Sequence, residues 1–157
     1  SGRPPADCAS FRPPLMSNVR PHVRPLGMQR HKGSCHCGRV TFEFYGDVVT
    51  AIECNCSICR MKGALWHGTD DARFRILSGE ADLGLYQFGT MTAKHYFCQR
   101  CGVSPFSHPR IAPARWVVNL RCVEDIDLSG LSTNSFDGQN WEAAAKQFMQ
   151  ARATGAV

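Results

Sequence analysis

Cys54-Asn55-Cys56-Ser57-Ile58-Cys59 places three cysteines within six residues, a C-x-C step running straight into a C-x-x-C step. Packing a core requires no such clustering. Thiolates at this spacing converge on one soft cation, and C-x-x-C is the usual zinc-knuckle step. The preceding run Val48-Val49-Thr50-Ala51-Ile52-Glu53 reads as a strand. Alternate side chains of a strand share a face, so Cys54 and Cys56 are expected to point the same way. A tight turn through Ser57 and Ile58 then returns Cys59 to them. Two sites fit this pattern: a closed one that borrows a fourth ligand from elsewhere, and a three-thiolate site with one open position. The second is the functional reading.

Working outward, the chain of 157 residues, 43% of them hydrophobic, suits one domain with an ordinary core. No apolar run approaches the roughly 20 residues of a membrane span, and the N-terminus lacks the continuous apolar segment of an export signal. The net charge of +5 is unevenly placed. Residues 1–34 carry Arg3, Arg12, Arg20, Arg24, Arg30 and Lys32 against Asp7 alone, which accounts for all of it. The remainder is neutral, so a folded domain that grips nucleic acid is not indicated. The nine cysteines are odd in number and tightly clustered, which argues for reduced, metal-binding thiolates in a cytoplasmic compartment rather than a disulfide scaffold.

Residues 1–30 hold six of the nine prolines and few large apolar side chains, the composition of a disordered basic leader. Cys8 within it is read as a non-ligand. Residues 31–157 form the expected zinc-binding domain. It opens on His31-Lys32-Gly33-Ser34-Cys35-His36-Cys37-Gly38, where an extended backbone puts Cys35 and Cys37 on one face. Strands are expected over Arg39–Tyr45, Val48–Glu53, Ala64–His67, Arg73–Leu77, Leu83–Phe88, Lys94–Phe97 and Arg115–Val123. Ser104 to Pro113 reads as a loop. In the last strand Trp116, Val118, Leu120 and Cys122 share a face, so Cys122 is read as a core thiol. From Asp137 to Arg152 the period becomes helical, and Trp141, Ala144, Ala145, Phe148 and Met149 form an apolar stripe assigned to core packing.

Seven cysteines remain, grouped as Cys35/Cys37, Cys54/Cys56/Cys59 and Cys98/Cys101. The simplest partition gives the two pairs one ion in a structural site of four thiolates and leaves the triple an open position. Spacing alone also permits the triple to borrow one cysteine from a pair. His67, His95 and His108 are within plausible reach of a site, but a histidine in a β-rich domain is more often simply surface or core.

The segments Gly33-Ser34-Cys35-His36-Cys37-Gly38, Cys54-Asn55-Cys56-Ser57-Ile58-Cys59-Arg60, Phe97-Cys98-Gln99-Arg100-Cys101-Gly102 and Phe136-Asp137-Gly138-Gln139-Asn140-Trp141 resemble those of the glutathione-dependent formaldehyde-activating enzyme family, which includes the centromere protein V relatives. Val103 departs from the small hydroxyl residue that often follows the glycine there. The resemblance implies a mainly antiparallel β-fold of the β-tent type with a short C-terminal helix and two zinc ions. Cys35, Cys37, Cys98 and Cys101 would hold the structural ion, and Cys54, Cys56 and Cys59 the catalytic one. It implies a carbon–sulfur lyase that makes or breaks S-hydroxymethylglutathione, with glutathione as co-substrate.

The chemistry agrees with a thiol substrate. Three thiolates on Zn²⁺ leave a net charge of −1 and a poor activator of water, but a good soft acceptor for a thiol. The thiolate so held adds to an aldehyde carbonyl, or leaves it in reverse. Arg60 and Lys62, just past the triple, are candidates to receive a glutathione carboxylate, with Arg100 as a second choice. The rival expectation is a non-catalytic zinc-binding interaction module that contacts its partner through the basic arm.

Overall fold

The computed structural model describes residues 27–155. Expectations for the leader up to residue 26, Cys8 included, lie outside the described residues. The described residues form ten strands, two α-helices and several single 3₁₀ turns. The strands are β1 (Arg30–Ser34), β2 (Thr41–Tyr45), β3 (Thr50–Cys54), β4 (Trp66–Thr69), β5 (Phe74–Ser78), β6 (Leu83–Tyr86), β7 (Lys94–Cys98), β8 (Phe106–His108), β9 (Trp116–Asn119) and β10 (Ser132–Phe136); the helices are α1 (Ser57–Lys62) and α2 (Trp141–Ala153). This is the mainly-β fold with one C-terminal helix expected from the sequence.

A three-stranded sheet runs β1-β2-β5 and a seven-stranded sheet runs β10-β3-β4-β9-β8-β7-β6. All pairings are antiparallel except β10 on β3, which is parallel and sets Phe136 beside Cys54. Between the sheets lie Val40, Phe42, Phe44, Phe106, Val118 and Leu120, all fully buried. Phe42 meets the edge of Phe106 at 5.5 Å between ring centroids, and Phe74 stacks on Trp116 at 4.4 Å. Such geometries add a specific term to area burial.

Several local expectations are corrected. β1 starts at Arg30, one residue inside the expected leader, because Arg30 Nε donates to the buried Glu43 carboxylate at 2.7 Å. Cys35 and Cys37 lie on a turn after β1, not on a strand. β3 ends at Cys54, and helix α1 rather than a tight turn carries the chain through Ser57 and Ile58 to Cys59. The segment read as a loop contains β8, which completes the large sheet. β9 stops at Asn119, whose side chain accepts from Arg121 N at 3.2 Å and starts a 3₁₀ turn, so Cys122 is not on the strand face. Cys122 nevertheless packs half-buried against the core and joins neither cysteine group, and burial pushes its thiol up to about 11.

Candidate metal centres and cavity

The sulfurs of Cys35, Cys37, Cys98 and Cys101 converge, all within 4.8 Å of one another. Cys35 Sγ lies 3.6 Å from Cys37 Sγ, which lies 3.7 Å from Cys98 Sγ. A tetrahedron of zinc–sulfur bonds about 2.3 Å long has edges of about 3.8 Å. The set therefore fits zinc and excludes a disulfide, whose sulfurs stand about 2 Å apart. Two turns build it. Val40 N donates to Cys35 Sγ at 3.3 Å. In the second knuckle Gly102 N reaches Cys98 O at 2.8 Å with φ of 76°, a conformation that glycine supplies without strain. The Cys101 thiol is pushed down to about 6, chiefly by the Val103 backbone N–H, so it is ready to ligate.

Cys54, Cys56 and Cys59 form the second cluster, again with sulfurs within 4.8 Å. Cys56 precedes α1, and its thiol is pushed down by hydrogen bonds from the Cys54 and Cys59 thiols and from the Cys59 and Ile58 backbone N–H groups. Cys54 and Cys59 are pushed up beside it, Cys59 by the bonds with its two partners. A divalent cation held there would favour the thiolate form of all three cysteines. The indole N–H of Trp66 donates to Cys59 Sγ at 3.3 Å, a bond that survives loss of the thiol proton and supports a thiolate. The donor set fits a soft ion with an open position. Neither cluster includes a histidine.

The segment Phe136–Asn140 closes over this triple. Asn55 Nδ2 donates to Asp137 Oδ1 at 2.9 Å, and Asn55 Oδ1 accepts from Gln139 N at 3.1 Å. Asn140 Nδ2 donates to the other Asp137 oxygen at 2.8 Å, and these bonds, Asn140 first and then Asn55, hold the Asp137 carboxyl below its usual range. Gly138 packs directly on the cysteines: a Cβ there would stand 2.6 Å from Cys56 Cβ and 2.7 Å from Cys54 Sγ.

The triple lies on the wall of a cavity of about 810 Å³. Ile52, Trp66, Trp116, Phe136, Trp141 and Phe148 give it apolar walls, with Arg110, Arg115 and Arg152 the cations. A second cavity of about 270 Å³ touches Cys54 and Cys59 from another side and is lined by Glu53, Asn55, Arg60 and Asp137. None of the four cysteines of the other cluster lines either cavity.

Of the expected glutathione contacts, Arg60 lines the smaller cavity and Lys62 lines neither. Burial lowers the Lys62 pKa, an effect opposed by the charges of Cys59 and Cys56. The stripe of α2 assigned to core divides: Ala144 and Ala145 are buried, but Trp141 and Phe148 face the large cavity and Met149 is exposed.

The same cavity holds a polar spot that includes His95, placed within reach of a site by the sequence, and Ser107, which the sequence does not single out. His95 and Ser107, cross-strand neighbours on β7 and β8, both line the large cavity. They are 8% and 2% exposed, and neither His95 Nδ1 nor Ser107 Oγ has a hydrogen-bond partner among the described residues. Burial, assisted by Lys62, pushes the His95 imidazole down to about 4, so it is neutral near pH 7. His67 also lines this cavity, while His108 is tied to Arg115 O at 2.7 Å.

With two thiolate clusters and the closing segment in place, comparison with known proteins is decisive. Residues 30–150 match the family described as glutathione-dependent formaldehyde-activating enzyme. The chain belongs to that family. It is also similar to a crystal structure of a Rhodobacter sphaeroides protein, with 34% identity, a TM-score of 0.59, and coverage of 66% of this chain and 99% of that one. Among the described residues no helix is long and apolar enough to cross a membrane.

Proposed function

We propose that this family member is a zinc-dependent carbon–sulfur lyase that joins or separates a thiol, glutathione foremost, and an aldehyde. The observation that carries this reading is the contrast between the clusters. The four-cysteine set is closed and away from both cavities, whereas the three-cysteine set is incomplete as a tetrahedron and lies on a cavity wall. Cys35, Cys37, Cys98 and Cys101 are the structural ligands in this reading, and Cys54, Cys56 and Cys59 the catalytic ones. Zinc held by the triple supplies a soft acceptor that keeps a thiol as thiolate near pH 7.

In the synthetic direction the sulfur lone pair forms a bond to the carbonyl carbon, the C=O π pair moves to oxygen, and that oxygen takes a proton. The reverse returns the thiol and the aldehyde. His95 and Ser107 are the residues we assign to the oxygen. Their unpartnered polar atoms line the same cavity as the triple, and a buried polar atom without a partner costs on the order of 1–3 kcal/mol unless a ligand supplies one. The apolar walls keep bulk water away from the adduct. Arg60, in the smaller cavity, receives a thiol-borne carboxylate.

Calorimetry with glutathione tests the reading on zinc-loaded parent and Cys59→Ser protein, with metal content measured on both. Binding by the parent, and its loss with about half the zinc in the variant, is the expected result. A parent that holds two zinc ions and binds no thiol would sink it.

A further inference from the structure

The two cavities that meet at the triple differ in chemistry. The smaller offers both signs of charge, Arg60 with Glu53 and Asp137. The larger is walled by aromatic and branched aliphatic side chains, is lined by three arginines, and has no Asp or Glu in its lining. Cys54 and Cys59 line both. Sulfur in a thiol–aldehyde adduct carries two substituents, and a site opening two ways can sort them. Building on the lyase reading above, we infer that the larger cavity takes the aldehyde half, and that this aldehyde is bulky, apolar and carboxylate-bearing rather than formaldehyde.

Size is the first argument. Cavities of about 300–1,000 Å³ enclose drug-sized ligands, and the larger one here falls in that range, whereas a one-carbon aldehyde would leave nearly all of its walls wet. Charge is the second. A zwitterionic group needs an anion for its ammonium, and this lining has no carboxylate; its one anionic group is the thiolate triple assigned to the metal. Arg110 instead is pinned where it can meet a carboxylate. Its guanidinium lies 3.7 Å from the Trp141 ring centroid, and it donates to Glu142 at 2.8 Å. Glu142 lies outside the cavity lining, and a guanidinium has five donors, so one carboxylate partner does not exhaust it. Arg115 is similarly braced by Asp70 at 3.0 Å. Arg152 has no carboxylate partner among the described residues.

The chain carries its own reporter, because all three of its tryptophans, Trp66, Trp116 and Trp141, line this cavity. Zinc-loaded protein is titrated with 3-phenylpropanoate and with its uncharged amide while tryptophan fluorescence is followed. The acid is expected to bind at least ~10-fold more tightly than the amide, the value of one charge-assisted contact of about 1.4 kcal/mol or more. Arg110→Gln and, separately, Arg152→Gln should reduce that ratio while leaving amide binding in place. Equal binding of acid and amide, or no fluorescence change with either, overturns the inference. Turnover with glutathione is then compared for 4-carboxybenzaldehyde and formaldehyde. A preference for formaldehyde in kcat/KM also overturns it. Calorimetry with glutathione separates the two failures: a protein that binds the acid but no thiol loses the lyase reading and keeps the ligand class of the cavity.

Discussion

Trp66 Nε1 donates a hydrogen bond to Cys59 Sγ at 3.3 Å. The residue thus ties the third cysteine of the triple to the large sheet, because its backbone sits on β4 opposite Asn119 of β9. Partners of this kind tune metal affinity by 10–100-fold. Trp66→Phe keeps most of the buried volume and removes the donor. Competition with a chromophoric chelator should show one of two zinc ions held at least ~10-fold more weakly and the other unchanged. Equal weakening of both, or of neither, would mean the bond does not act on the metal.

The four-cysteine set joins the turn after β1 to β7 and the turn beyond it, more than sixty positions apart in sequence, while the triple spans six residues. Binding energy at the first is therefore folding energy for the domain. Cys98→Ser should abolish the cooperative melt or lower Tm by roughly 10 °C or more. Cys59→Ser should shift Tm by only a few degrees, by the same scale. Circular dichroism melts of both variants decide this, and indistinguishable melts would refute the division of labour.

Gly138 leaves no room for a methyl group over Cys54 and Cys56. Its neighbours there are short, backbone-anchored atoms that cannot swing aside. Gly138→Ala should displace the closing segment and lower zinc stoichiometry from two towards one, with the four-cysteine ion retained. Full occupancy together with parental glutathione affinity would show that the segment yields freely.

Acid should weaken the fold in a window set by the buried histidines. His95 titrates near 4 in the folded chain against an ordinary 6.5 when unfolded, and burial lowers His67 and His108 as well. Between those values the unfolded chain holds more protons, so stability falls as pH drops from about 6.5 towards 4 and levels off below. In His95→Gln that share is absent. Tm measured from pH 7 to 4.5 should decline less steeply in the variant, while loss of zinc on thiolate protonation affects both alike. Parallel curves would mean His95 is charged or solvated in the folded protein.

The candidate metal clusters were legible because zinc imposes local spacing. C-x-C and C-x-x-C are written within a few residues, and only the pairing of Cys35/Cys37 with Cys98/Cys101 had to come from family resemblance. The walls were not legible. β10 is exposed along most of its length, so Ser132-Thr133-Asn134-Ser135 shows no alternation, and backbone bonding to β3 alone makes it a strand. The helical stripe of α2 was visible, but periodicity marks which face is apolar and not whether anything fills the space before it. Trp141 and Phe148 therefore read as core and turn out to line a cavity. His95 was marked only as a histidine within reach of a site; its burial beside Ser107 was not legible, because it arises from strands brought together across the large sheet.

The parallel pairing of β10 on β3 has a consequence in time. All three cysteines of the triple exist once residue 59 is made, but the segment covering them begins at residue 132, some 73 residues later. At roughly 5–20 residues per second, a nascent chain leaves that thiol cluster uncovered for about 4–15 s. An ion captured in that interval would be chosen by which soft metal is available, since the thiolates themselves discriminate little against copper. The covering segment, made afterwards, would close over whichever ion was held.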